Sequence, residues 1–139
     1  MIIAVDFDGT IVRDKYPEIG TEFPFATETL RMLIQAGHKL ILWTVREGDT
    51  LKEAVEWCSQ RGVEFYAVNQ TFPGEDNEAD HYTRKIKADI FIDDRNVGGL
   101  PDWGTIYELI QEDKTLEEIF FEHAHEEQPK KKAKHAKKK

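Results

Sequence analysis

Cysteine is nearly absent from this chain of 139 residues. Cys58 stands alone, which excludes an internal disulfide and fits a reducing compartment. Long apolar runs are missing too. No stretch approaches the roughly 20 residues that a membrane-spanning helix needs, and the first residues show no signal-peptide pattern. An apolar strand begins at Ile2, leaving no room for a leader. A cytoplasmic protein with no membrane association is therefore expected. Internal repeats are absent, and the five histidines have no metal-ligand spacing with the cysteine, so they are read as surface residues. Basic residues are scarce except in one place. Residues 130–139, KKKAKHAKKK, hold seven of the 19 lysines and arginines, which leaves 12 basic against 27 acidic residues elsewhere, a charge of about −15. A body that acidic repels a polyanion, so contact with nucleic acid is expected only through the tail. Residues 129–139, a block of like charge, are expected to be disordered, and residues 1–128 to form a single domain.

What is present gathers where strands end. Ile2 to Val5 reads as a buried strand, followed by Asp6-Phe7-Asp8-Gly9-Thr10. Side chains alternate along a strand, so Asp6 and Asp8 share a face while Phe7 turns to the core, and Gly9 lets the chain turn sharply. Taken alone, such a pair is equally well two solvated turn acids. Further along, residues 11–23 read as a loop, and Pro24 suits a first helical position before an apolar stripe of Phe25, Thr29, Leu30, Leu33 and Ile34 that Gly37 stops. Residues 39–44 form a second buried strand ending in Thr44. Thr50 and Glu53 suggest a capping box for a helix with Leu51, Ala54, Val55 and Cys58 inward and Gly62 as its stop. Residues 64–68 suggest a third strand, 69–83 a loop, and 88–92 a fourth strand running into Asp93-Asp94. Helical patterns follow from Trp103 and from Thr115, where Thr115 and Glu118 form another capping box.

Alternating strands and helices predict an α/β fold, a doubly wound, Rossmann-like parallel sheet with helices on both faces. In such sheets ligands bind beyond the carboxyl ends of the strands. Asp6, Asp8, Thr44, Asp93 and Asp94 all fall at that edge, which scattered surface acids would have no reason to do. Oxygen ligands of this kind suit Mg2+, and a carboxylate can attack a phosphate ester once the ester's negative charge is neutralised.

These residues amount to a resemblance. Asp6-Phe7-Asp8-Gly9-Thr10, Thr44 after an apolar strand, Arg84-Lys85, and Ile92-Asp93-Asp94 are similar to the four motifs of the haloacid dehalogenase superfamily, in the same order over residues 1–97. The resemblance implies Asp6 as nucleophile, Asp8 as acid/base, and Thr44 with Lys85 as the phosphoryl-binding pair. It implies Asp6, Asp8 (through its carbonyl), Asp93 and Asp94 as the metal set. It also implies strand one lying between strands two and four. The gaps at 11–38 and 45–82 are too short for a folded cap domain, so a small capless member is expected, a phosphatase acting on a phosphorylated substrate that an open site allows to be large. An open site favours either such a substrate or a homo-oligomer that lends a lid.

Lys87 is the alternative to Lys85. Arg46 and Arg95 could reach a substrate's anionic groups or form ion pairs with acids. Asn69 could line the crevice or shape a turn. Trp43, Trp57 and Trp103 are assigned to the core, and Phe120 and Phe121 to docking a terminal helix or to a subunit contact. Two other classes remain open: a phosphoacceptor receiver module, whose acidic pair would end the first strand, and a non-catalytic binding domain.

Overall fold

The computed structural model describes residues 1–75, 86–115, 117–122 and 124. Along the chain run β1 (Ile2–Val5), β2 (Val12–Lys15), β3 (Glu18–Glu22), α1 (Ala26–Gln35), β4 (Lys39–Leu42), α2 (Gly48–Gln60), β5 (Ala67–Val68), β6 (Ile90–Ile92) and α3 (Trp103–Gln111). They fall into two compact units that divide after Trp103.

The first unit holds a parallel sheet in the order β5-β4-β1-β6, flanked by helices, the mixed α/β architecture expected. β1 sits centrally, as the resemblance implied. Ile3, Ala4 and Val5 are all buried, as are Leu40, Ile41 and Leu42, because both faces of a parallel sheet are covered. Register places the site. Val5 pairs with Leu42 on one side and Ile92 on the other, so the residues that follow each strand leave the sheet side by side.

Several local expectations change. Residues 12–22 are not a loop but an antiparallel hairpin, β2–β3, joined through Tyr16-Pro17. α1 starts at Ala26 rather than Pro24, and Phe25 sits exposed at φ 66 instead of on the buried face. No side chain at Phe25 caps the helix. The Glu22 carboxylate takes that role from the end of β3, accepting hydrogen bonds from the Thr27 N–H (2.8 Å) and hydroxyl (2.6 Å) and meeting the positive end of the helix. α2 begins at Gly48, so Thr50 lies within its first turn and donates to the Glu47 carbonyl; the expected box does not form there. The third strand contracts to two residues, Ala67–Val68, although the Tyr66 N–H still donates to the Leu40 carbonyl.

Other expectations hold. Gly37 and Gly62 adopt positive φ after their helices. Cys58 is fully buried, which pushes its thiol up to about 12 and leaves it a packing residue. Trp103 is buried and its indole N–H donates to the Thr10 carbonyl. Trp57 is half-buried and meets Phe7 edge to face. His38, expected at the surface, is half-buried beside the amino terminus. His81, His123, His125 and His135 lie outside the described residues, as does the basic tail at 129–139.

In the second unit the Glu118 N–H donates to the Thr115 hydroxyl, half of the box expected there, while Phe120 and Phe121 are exposed. No described helix is long and apolar enough to cross a membrane.

Candidate active site

The site starts where β1 stops. The Asp6 N–H still donates to the Ile92 carbonyl, and the Trp43 N–H to the Val5 carbonyl, so β4, β1 and β6 fix the backbone up to that point. Phe7 then points into the core, fully buried, which turns Asp6 and Asp8 to the other side. Gly9 closes the turn at φ 84, and a Cβ there would collide with the Asp94 carboxylate. Glycine is required twice, for backbone conformation and for that close approach.

Thr10 is the hub of the acid cluster. Its hydroxyl accepts the Asp94 N–H at 3.1 Å and lies 3.2 Å from both Asp6 Oδ2 and Asp94 Oδ1. Oxygens of Asp6, Asp93 and Asp94 come within 4.8 Å of one another. Burial, and then the charge of Asp93, push the Asp6 carboxyl from 3.8 up to about 7. Three acids are thus held together at an electrostatic cost, and among the described residues none has a salt-bridge partner. An all-oxygen donor set with unbalanced negative charge suits a hard divalent cation such as Mg2+, Ca2+ or Mn2+. These three residues could hold one.

Asp8 stands apart from the cluster. Arg46 Nε and Nη2 donate to its two oxygens at 2.7 and 2.8 Å, a bidentate pair. Nη1 donates to the Pro17 and Thr50 carbonyls, and Nη2 also to Glu18. All five N–H donors of Arg46 are therefore used inside the protein. The side chain is 0% exposed, and pairing with Asp8 raises its pKa further. Of the two roles open to Arg46, the ion pair is the one formed, and no donor is left for a substrate anion in this geometry. The Arg46 guanidinium also lies 5.1 Å from the ring centroids of Phe7 and Tyr16. It ties the β1 turn, the hairpin and the start of α2 to one another.

Thr44 accepts the Arg46 N–H on its hydroxyl oxygen (3.1 Å) and gives its own N–H to Asn69 Oδ1 (2.8 Å). Among the described residues its hydroxyl proton has no acceptor, which leaves it for a ligand. Asn69 shapes a turn, at φ 53, and fixes the Thr44 backbone instead of lining the crevice. Lys85 lies outside the described residues. Lys87 is exposed, and its backbone N–H donates to the Thr71 hydroxyl.

An open cavity of about 460 Å³ covers this edge, lined by Asp6, Asp8, Thr44 and Asp93 below and by Asp14, Tyr16, Trp43, Val45 and Arg95 around its mouth. Trp43 is therefore not a core residue only: it packs on the Ala4–Ile41 cluster and also faces the cavity. Asp14 and Tyr16 have no counterpart in the sequence expectations. The signal that could have found them is the alternation Val12, Asp14, Tyr16 just beyond the motif.

No protein-family model matches the chain. A stretch of 73 residues, 52% of this chain, is 29% identical to a Bacillus cereus protein named "Putative nucleotidase" and spans 39% of that protein's length. The structure of a conserved protein from Bacteroides thetaiotaomicron is similar with a TM-score of 0.80 and 62% identity, over 86% of this chain and 97% of that one.

Proposed function

This chain belongs to the same family as the conserved Bacteroides thetaiotaomicron protein, and we propose that it is a Mg2+-dependent phosphatase of the haloacid dehalogenase type, hydrolysing phosphate monoesters through an aspartyl-phosphate. The observation that carries this reading is the convergence of Asp6, Asp93 and Asp94 beside Thr10 at the carboxyl edge of the sheet. The partial likeness to a protein named for nucleotidase activity supports a phosphate-ester hydrolase at a coarse level.

Bound at the three carboxylates, Mg2+ would neutralise charge on the phosphoryl oxygens and on the acids themselves. The chain's own groups do the rest. An Asp6 oxygen attacks phosphorus, the P–O bond to the alcohol breaks, and Asp8 gives a proton to the departing alkoxide. Water then attacks the same phosphorus, Asp8 takes its proton, and the Asp6 carboxylate is released with inorganic phosphate. Arg46 fixes both Asp8 oxygens and leaves each a further lone pair for this proton traffic. The Thr44 hydroxyl donates to a phosphoryl oxygen, and Lys85, with Lys87 as the alternative, completes the charge balance.

Turnover of p-nitrophenyl phosphate tests the proposal. Wild-type protein with Mg2+ is expected to hydrolyse it, and Asp6→Asn to lose on the order of 10⁴-fold or more in kcat. Absence of turnover in the wild type, or equal turnover in Asp6→Asn, removes the enzyme reading.

A further inference from the structure

The mouth of the cavity differs in chemistry from its floor. On the hairpin, Val12 is buried, while Asp14 near the end of β2 and Tyr16 in the turn that follows both reach the cavity. Trp43 reaches it from the end of β4, with Val45 beyond. A phosphoryl group occupies only the acidic floor, so the remaining space must take the alcohol half of the ester, and about 460 Å³ lies within the usual range for small-ligand sites. A polyhydroxylated sugar would need hydrogen-bonding side chains on most sides of it; among the described residues at the mouth Asp14 and Arg95 are the charged ones, and Tyr16 and Trp43 offer one polar atom each at the edge of a flat apolar ring.

The aromatic wall is also built in advance of any ligand. Arg46 is buried, donates to the carbonyls of the consecutive residues Pro17 and Glu18 where the hairpin turn enters β3, and lies over one face of the Tyr16 ring. Tyr16 is nevertheless 54% exposed, so its opposite face is left to solvent. Asp14 accepts the Tyr16 N–H on one oxygen, at 3.2 Å, and keeps the other for a donor.

We infer that this mouth is a nucleoside subsite: a planar base packs against Tyr16 and Trp43, Asp14 accepts a hydrogen bond from a hydroxyl or amine of the nucleoside, and the monophosphate rests on the floor. The inference deepens the phosphatase reading and rests on it for the catalytic half alone. Base–aromatic stacking predicts about a 5- to 150-fold contribution from one ring.

The experiment has two arms on the full chain. In the first, kcat/KM for adenosine 5′-monophosphate is compared with that for glycerol phosphate and free phosphotyrosine. Adenosine monophosphate is expected to be preferred over both, with Tyr16→Ala cutting its advantage over glycerol phosphate 5-fold or more and Tyr16→Phe restoring it. A ratio near one, a ratio that Tyr16→Ala leaves intact, or equal preference for phosphotyrosine overturns the inference while leaving the phosphatase reading standing. In the second arm, adenosine monophosphate is titrated without turnover and tryptophan fluorescence is read. Quenching that inorganic phosphate does not reproduce and that Trp43→Phe removes supports the subsite even in the absence of hydrolysis. No quenching at millimolar nucleotide overturns it.

Discussion

Lysine in place of Arg46 keeps the charge and loses the fork, which makes it the sharpest probe of how the site is held. Arg46 makes two charge-assisted hydrogen bonds to Asp8 and three more to the carbonyls of Pro17, Glu18 and Thr50, from a side chain with no solvent exposure. A single ammonium cannot reach Asp8 and all three carbonyls together. At about 1 kcal/mol for each bond lost, and with the exposed hairpin carbonyls partly rehydrated, Arg46→Lys should cost about 2–3 kcal/mol. Arg46→Met also strands the Asp8 carboxylate, whose side chain is 12% exposed. Breaking such a pair from one side costs about 3–5 kcal/mol. For a chain of this size the lysine variant should melt about 10 °C lower. Urea unfolding gives the free energies, and a cycle with Asp8→Asn isolates the pair. Arg46→Met should be milder by about 1.5 kcal/mol or more in the Asp8→Asn background. If Arg46→Lys stays within about 0.5 kcal/mol of wild type, or the two backgrounds respond alike, Arg46 does not hold the site together.

Other perturbations address the acid cluster. Asp6 titrates at about 7 when folded against 3.8 ordinarily, so its effect is absent below pH 3.8, destabilises increasingly as pH rises, and is complete above 7. Urea unfolding in chelator should show wild type losing stability between pH 5 and 8 by more than Asp6→Asn does. Thr10→Val removes the hydroxyl that lowers the Asp6 pKa and leaves the Asp94 N–H without its acceptor; a loss of about 1–3 kcal/mol is expected by thermal unfolding, with the Asp6 titration followed by NMR moving further up. Gly9→Ala combines a strained φ with a collision at Asp94 and should cost about 1–3 kcal/mol and weaken Mg2+ binding in calorimetry. Mg2+ added after chelation should restore hydrolysis, and Ca2+ should restore far less, because its larger, looser coordination suits in-line transfer poorly; equal rescue would contradict the arrangement.

Much of the frame was legible because it depends on local pattern. The apolar strands ending in Asp6, Thr44 and Asp93 read directly, and their common edge followed from parallel topology, whereas the place of β1 between β4 and β6 was implied by the family resemblance alone. The hairpin did not read, since β2 and β3 carry mostly exposed polar side chains with few apolar positions to mark a strand. The start of α1 was hidden because its capping group, Glu22, sits five residues before Thr27 and beyond Pro24. Arg46 offered two readings in one dimension. Only the three-dimensional meeting of Asp8, the hairpin carbonyls and Thr50 decided between them. Trp43 likewise follows a buried strand and so reads as core, yet it ends one residue past the sheet edge, where the cavity opens.

Trapping the covalent intermediate is the most direct test of the nucleophile. The protein is mixed briefly with p-nitrophenyl phosphate and Mg2+, quenched in acid, and digested for mass spectrometry, with borohydride reduction to mark the acyl phosphate. A phosphoryl adduct on Asp6, absent without Mg2+ and absent in Asp6→Asn, is the predicted result. Hydrolysis that proceeds with no adduct on Asp6, or with the adduct on Asp8, Asp93 or Asp94 instead, contradicts it.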